Sequence, residues 1–339
     1  MSGRRDLVNV TSSVSQYDVV IVGGGPAGVS AGLVLGRCGR RVVVIDAGKP
    51  RNYAARAMHN YMSRDGRPPR DVMDVGWSEL AKYGVERRAG RVTEADCRKE
   101  GFDVRLESGE MLASRKLLLA TGVRDELPTV KHFAAFYGLG VHHCPYCDGY
   151  EYRGKVIAAY GLGRPGVGLA LNLLTWSDKI TVCTDGRRLT SKDRRELSHF
   201  GIALRDDPID CLEAERGEPT PGAEEPLRRV VFRSGPPLEV AALFFNTGQT
   251  QRSDLPLRLG CAMNRAGGVA HDARQRTSVA GLYLAGDASK DVQFVIVAAA
   301  EGAKAGVAIN TDLQKEERSA VMGLVRPTPA PAPEQLAGI

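Results

Sequence analysis

The sequence predicts a doubly wound α/β protein, and three observations predict it. Short runs of β-branched and aliphatic residues recur along the 339-residue chain as continuous blocks, the pattern of strands buried on both faces of a parallel sheet. Helical periodicity fills several of the intervals between them. One strand, glycine turn, helix, strand pattern occurs twice, at 18–46 and again at 155–185. The length suggests about two domains at roughly 150 residues each.

Taken in order, strands are expected at 18–22, 41–45, 117–120, 156–160, 180–183, 242–245 and 282–285. Each is rich in Val, Ile, Leu or Phe, and several run straight into glycine. Helices are expected at 27–37, 166–175 and 292–313. Residues 213–226, rich in Glu, Gly and Pro, read as a surface loop. The stretch 1–14 and the Pro-Ala repeats after Arg326 read as flexible tails.

Composition narrows the function. The formal charge of +6 is spread over interleaved acids and bases, with no basic block paired to aromatics, so no nucleic-acid partner is expected. No apolar run reaches membrane-spanning length, so no membrane is expected either. Seven Cys, mostly isolated, suit a reducing cytoplasm rather than a disulfide framework.

Gly23-x-Gly25-x-x-Gly28, holding Pro26 and Ala27, follows the first strand and opens the first helix. Gly23 permits the turn, Gly25 lets a pyrophosphate approach the backbone, and Gly28 lets helix and strand pack closely. Asp46 ends the second strand at the spacing expected for an acid on a ribose hydroxyl. Thr121-Gly122 and Gly286-Asp287 end two more strands, at the edge where α/β ligands bind.

Cys144-Pro-Tyr-Cys147, preceded by His143 and followed by Asp148, is a candidate redox pair that cycles between dithiol and disulfide. A zinc site would need a second pair of ligands at suitable spacing, which is missing, so no metal is expected. A glutaredoxin-like reading places such a pair at the start of a small domain, without a nucleotide fingerprint before it. His143 is a candidate base for an incoming thiol, with a pKa expected near working pH. A solvent-facing His at a strand end is the competing reading.

With these motifs in this order, residues 17–313 resemble the low-molecular-weight thioredoxin reductases. The resemblance implies two Rossmann-like dinucleotide-binding domains. The FAD domain would be discontinuous, at 15–126 and 248–313, with a central domain at 127–247 carrying the Cys pair and tails at 1–14 and 314–339. It implies bound FAD and a homodimer. Cys147 would lie beside the flavin, Cys144 would exchange with an outside dithiol, and Asp148 would handle a proton. Asp287 would hold the ribityl chain, and the helix starting near Gln293 would face the flavin pyrimidine edge. Asn60, Arg51, Asn52 and Val92 would line the same cofactor.

The second turn, Gly161-x-Gly163-x-x-Gly166, departs from that family. Where it has His-Arg-Arg to grip the 2′-phosphate of NADPH, this chain has Thr184-Asp185-Gly186. A carboxylate repels a phosphate, so NADPH is disfavoured, while Asp185 suits the free hydroxyl of NADH. Without a nicotinamide, electrons would enter through the Cys pair. The sequence also resembles the dithiol oxidases of the gliotoxin, holomycin and romidepsin type, through Cys144-x-x-Cys147-x-Gly149-x-Glu151. That resemblance implies oxidation of a small-molecule dithiol, with O2 reduced to H2O2. The alternatives are an NAD(P)H-dependent thioredoxin reductase and a flavoprotein that senses redox state without turnover.

Overall fold

The computed structural model describes residues 15–219 and 225–323. Residues 1–14 and 324–339 of the expected tails lie outside them. The chain begins β1 (Ser15–Val22), α1 (Pro26–Arg37), β2 (Val42–Asp46), α2 (Pro69–Ala81) and β3 (Glu86–Ala89). It continues β4 (Val92–Arg98), β5 (Gly101–Leu106), β6 (Met111–Leu119), β7 (Val123–Asp125) and β8 (Val141–His142). Next come α3 (Pro145–Asp148), β9 (Ile157–Tyr160), α4 (Arg164–Leu173), β10 (Ile180–Cys183), α5 (Ser191–His199) and β11 (Ala203–Arg205). Then follow β12 (Ile209–Glu213), β13 (Arg229–Phe232), β14 (Leu238–Glu239), β15 (Ala242–Phe245) and β16 (Gln249–Gln251). The last elements are α6 (Leu255–Arg258), β17 (Leu282–Leu284) and α7 (Val295–Val321).

The first sheet runs β3-β2-β1-β6-β5-β4, with β17 also paired to β6. Its centre is parallel, Val20 opposite Val43 and Leu117. Alternate residues of β1 feed opposite cores: Val20 and Val22 pack toward β4 and β5, while Val19 and Ile21 pack toward α1 and α7. That two-sided burial is why the run carries no polar alternation. The antiparallel extension β4-β5-β6 was not among the expected elements. Its signal is a period of two, with Phe102, Val104 and Leu106 buried and Asp103 and Arg105 more exposed.

The second sheet, β11-β10-β9-β15-β8, is parallel throughout. β7 and β16 form a short antiparallel ribbon, Gln249 opposite Asp125, where the chain passes between the two sheets and back. This ribbon puts polar side chains of both passages in one place.

Several expected boundaries shift: β1 begins at Ser15 rather than 18, β6 begins at Met111 rather than 117, and two helices move as well. α4 begins two residues early, because Pro165 suits a first helical turn. α7 begins at Val295 and runs on through 314–321, which the sequence reading assigned to a tail. Long-range ion pairs account for the extension: Glu317 takes Arg40 and Arg115, and Glu316 takes Lys116. No helix among the described residues is long and apolar enough to cross a membrane.

Candidate active site

The first glycine turn is built as the spacing requires. A Cβ on Gly28 would lie 1.9 Å from the Gly23 carbonyl oxygen, so α1 and β1 can approach only with glycine there. A Cβ on Gly25 would meet nothing within 4 Å, which leaves open space above the turn. Gly25 caps α1 without a side-chain hydrogen bond, Pro26 opens the helix, and Ala27 follows it, with no acid in the first turn. The N–H groups of that turn are thereby left to an anion. Asp46, at the end of β2, accepts from the Gly48 N–H at 3.2 Å and has Arg87 at 3.8 Å. Val92 is buried at the start of β4.

Three further observations fit a dinucleotide here. The Thr121 hydroxyl, just past the C-terminal end of β6 and before Gly122, is buried without a partner. Gly24 is walled by Trp77 and Asp46, so the turn's own side is filled while the side at Gly25 is open. Burial holds the Arg252 guanidinium below its usual pKa, and Arg124 and Arg91 press it further, with only Asp46 opposing. An anion bound there would relieve that repulsion. The residues present therefore fit FAD, and Gly23, Gly25, Gly28, Asp46, Thr121 and Gly122 would hold its adenosine and phosphates.

At the expected flavin end, Gly286 (φ +81°) turns the chain from β17 into Asp287. Asp287 accepts from Arg51 at 2.9 Å, and Arg51 also donates to Gln293 at 2.7 Å. The same guanidinium grips Asp125 through two bonds, of 2.8 and 2.6 Å. Burial opposes the Arg51 charge, but Asp125 and Asp287 outweigh it and raise the pKa. Gln293 exchanges amide hydrogen bonds with Gln249 of the ribbon. Asn52, half-buried beside Arg51, contributes its carbonyl to the Ala55 N–H.

Cys144 and Cys147 are joined as a disulfide, both partly exposed. Cys144 caps the one-turn helix α3, and its Sγ accepts from the Cys147 N–H at 3.1 Å. The same N–H favours a thiolate at Cys144 once the bond opens. Asn60, in a left-handed conformation, donates from its side chain to the Tyr146 carbonyl at 2.8 Å. This bond docks the redox turn on the loop that also carries Arg51.

Consecutive residues at the end of β8 point to opposite sides, so His142 and His143 enter different networks. The His143 Nδ1 lies 3.0 Å from the Tyr137 hydroxyl, which donates to Asp125 at 3.0 Å. Asp125 stays ionised: burial opposes its charge, but the Arg51 hydrogen bond holds its pKa down. With Tyr137 donating to Asp125, His143 is the donor on Nδ1, and its Nε2 is a bare acceptor. His143, Asp125, Phe245, Gln249 and Lys290 line a cavity of about 290 Å³. The expectation of a His143 pKa near working pH is corrected. Burial, then the Arg51 charge, pushes it down to about 4, and the imidazole rests neutral. Asp148 turns to the other side, where it meets His142 at 3.2 Å.

The second turn keeps the glycine geometry and loses the open acid. Gly161 and Gly166 pack as tightly as their counterparts, and a Cβ on Gly163 would meet nothing within 4 Å. Asp185, however, accepts from the Ile209 N–H at 2.8 Å and from the Tyr160 hydroxyl at 3.2 Å. Both carboxylate oxygens are engaged by the chain's own donors. Arg164 is drawn onto α5 by Asp193 and Glu196.

Sequence reasoning missed Asp125, Tyr137, His142, Tyr152 and Tyr160. The His-His doublet at a strand end carried a signal, since neighbours in a strand face apart. The tyrosines carried none, because a phenol has no spacing signature: Tyr137 lies only six residues before His143 and Tyr152 ten after His142, and the fold alone turns their hydroxyls inward.

Residues 17–302 match the pyridine nucleotide-disulphide oxidoreductase family. The thioredoxin reductase sirT of Leptosphaeria maculans is 30% identical over 87% of this chain and 94% of its own. The crystal structure of HlmI superposes with a TM-score of 0.85 at 32% identity, covering 91% of this chain and 96% of that one. A thioredoxin reductase TrxB structure from Bacillus anthracis gives 0.81 at 29%, covering 89% and 99%. The chain therefore belongs to the pyridine nucleotide-disulphide oxidoreductases, as a thioredoxin-reductase-like member of their FAD-dependent thiol–disulfide branch.

Proposed function

We propose that the protein oxidises a small-molecule dithiol to a cyclic disulfide, with O2 as the final acceptor and H2O2 as the product. One observation carries this reading: Asp185 of the second turn is bound by Tyr160 and Ile209, whereas the first turn is open. A nicotinamide route meets a carboxylate where NADPH needs cations, and that carboxylate is already engaged. The Cys pair meanwhile rests against the Asn60 loop, so electrons entering there need no domain rotation to reach the flavin end.

The chemistry follows from the sulfurs. A substrate thiolate attacks Cys144 Sγ, the Cys144–Cys147 bond breaks, and Cys147 leaves as a thiolate. The second substrate thiol, deprotonated, attacks the substrate sulfur of the mixed disulfide, releases Cys144 and closes the ring. The substrate has then lost two protons and two electrons. Bound FAD supplies the two-electron acceptor between Cys147 and O2. Above about pH 4 the His143 imidazole is neutral, so Nε2 can accept a hydrogen bond from an incoming thiol and orient it, while a pKa that low leaves it too weak a base to hold the thiol's proton. The reading carries a cytoplasmic homodimer, to be checked by light scattering and by fractionation.

A second reading, an NAD(P)H-dependent thioredoxin reductase, is favoured by the similarity to thioredoxin reductases and by exposed Arg187 and Arg188 after the Asp185-Gly186 turn. Anaerobic mixing separates the two. Dithiothreitol is expected to bleach the flavin within seconds, with NADPH and NADH leaving it yellow. Rapid bleaching by NADPH overturns the oxidase reading.

A further inference from the structure

Asp148 follows the second redox cysteine, and its carboxylate is held from behind. Its Oδ1 lies 3.2 Å from His142 Nδ1, and His142 Nε2 lies 3.0 Å from the Tyr152 hydroxyl. For an uncharged imidazole, donors and acceptors match in one way. Tyr152 donates to Nε2, so the ring proton of the neutral form sits on Nδ1, on the side of Asp148 and 3.2 Å from its carboxylate but off the line of a hydrogen bond. Burial, then the Asp148 charge, pushes the Tyr152 phenol up to about 12, so its proton stays in place for that bond.

The packing around the imidazole is tight. His142 is buried, its ring 5.4 Å from Phe244 and 5.3 Å from Tyr152, and the Tyr152 ring meets Phe244 edge-on. β8 fixes the backbone, with His142 in parallel register with Phe244. A buried His could serve packing alone, but packing does not require its Nδ1 to lie 3.2 Å from the carboxylate that follows Cys147.

We infer that His142 and Tyr152 are positioning residues, which hold the Asp148 carboxylate where it exchanges a proton with the redox site as the Cys144–Cys147 bond opens and closes. The inference rests on the reading that this pair turns over. It separates two tasks: His143, backed by Tyr137, faces the cavity with Asp125, while His142 serves Asp148 on the other side of β8. No electron passes through His142 or Tyr152.

Three variants of the FAD-loaded protein test it by anaerobic stopped-flow bleaching with dithiothreitol. His142→Leu keeps bulk without a donor, His142→Asn keeps an N–H near the Nδ1 position, and Tyr152→Phe removes only the hydroxyl. The Leu variant should lower the limiting rate about 30-fold, within the ~10²–10⁴ that positioned acid–base groups supply, at an unchanged half-saturating concentration. The Asn variant should return to within about threefold of wild type, and Tyr152→Phe should fall about fivefold. Equal rates for Asn and Leu overturn the inference, because a packing role does not distinguish them by an N–H. If the Leu variant does not fold, Tyr152→Phe decides alone, and a wild-type rate overturns the inference.

Failure of the wild type to bleach sinks the proposed function instead. The same order of variants is then read in the rate at which oxidised dithiothreitol recloses the phosphine-reduced pair. No difference among them there also overturns the inference.

Discussion

The two glycine turns share a backbone and differ in what surrounds their acids. Both pack helix on strand through glycine, and both leave open space where a pyrophosphate would lie, above Gly25 and above Gly163. Asp46 ends β2 with a short local hydrogen bond and a loose ion pair. Asp185 lies two residues past β10 in a left-handed conformation, held by Tyr160 from the first strand of its own unit and by Ile209 beyond α5. A glycine spacing therefore reports a backbone cradle, and the side chains at the next strand end decide whether a nucleotide is welcomed.

If electrons enter only through the sulfurs, the heaviest blow to activity comes from removing one of them. Cys147→Ser should cut dithiol turnover by on the order of 10³-fold or more while FAD stays bound, because an alkoxide cannot replace the thiolate that hands on the pair. Turnover and flavin absorbance measured on one sample check this. Retained turnover would break the comparison at its root.

Filling the two cradles in turn separates them directly. Gly25→Val puts a side chain into open space at an extended backbone position, so the fold should survive while FAD affinity drops by ~100-fold or more. Gly163 sits at φ +80° and ψ −143°, a conformation that is essentially glycine-only, so Gly163→Ala should strain its own turn and lower stability while FAD content of the folded protein and dithiol turnover stay near wild type. Flavin-to-protein absorbance ratios and turnover read both. A tenfold loss of turnover in the Gly163 variant would mean that the second cradle is used.

Much of this contrast was legible in the sequence, and the reasons are local. β9, β10 and β15 are continuous apolar runs bounded by polar residues or glycine, and a buried strand has no other signature. The glycine spacing and Asp46 lie within one βαβ unit, where sequence distance sets spatial distance. The capture of Asp185 by Tyr160 was hidden, because it joins neighbouring strands across a register that only folding supplies. Asp125 was hidden for a similar reason. It lies on a ribbon whose two strands are 124 residues apart, as Gln249 and Asp125 show. α7 outran its expected end because its last turns are held by Arg40, Arg115 and Lys116 rather than by their own apolar stripe.

The seam between the two units should have its own pH signature. His143 falls from 6.5 to about 4 on folding, so the unfolded chain takes its proton first as pH drops. Its contribution to stability is full above about pH 6.5, declines toward pH 4 and is flat below, by up to about 3 kcal/mol. His143→Gln should flatten the unfolding free energy across that window, measured by urea titration at several pH values. A wild-type slope in the variant would mean that the imidazole is not buried beside Arg51, and the seam would be looser than either unit.

The smallest effect sharpens the comparison most. Tyr160→Phe removes one neutral-to-charged hydrogen bond from Asp185 and leaves the ring packed on Phe133. The expected cost is about 1 kcal/mol, because the Asp185 carboxylate is partly exposed and keeps its bond to the Ile209 N–H. Dithiol turnover should be unchanged, since nothing in the sulfur chemistry reaches this strand end. The informative readout is nucleotide binding by calorimetry. If engagement by Tyr160 is what closes the second acid, the variant should bind NADH more tightly than the wild type, with no gain for NADPH, whose 2′-phosphate still meets a carboxylate. Equal binding of NADH by both proteins would show that the second turn is closed by something other than its acid, and Arg164, held across the mouth of α4 by Asp193 and Glu196, would be the next side chain to remove.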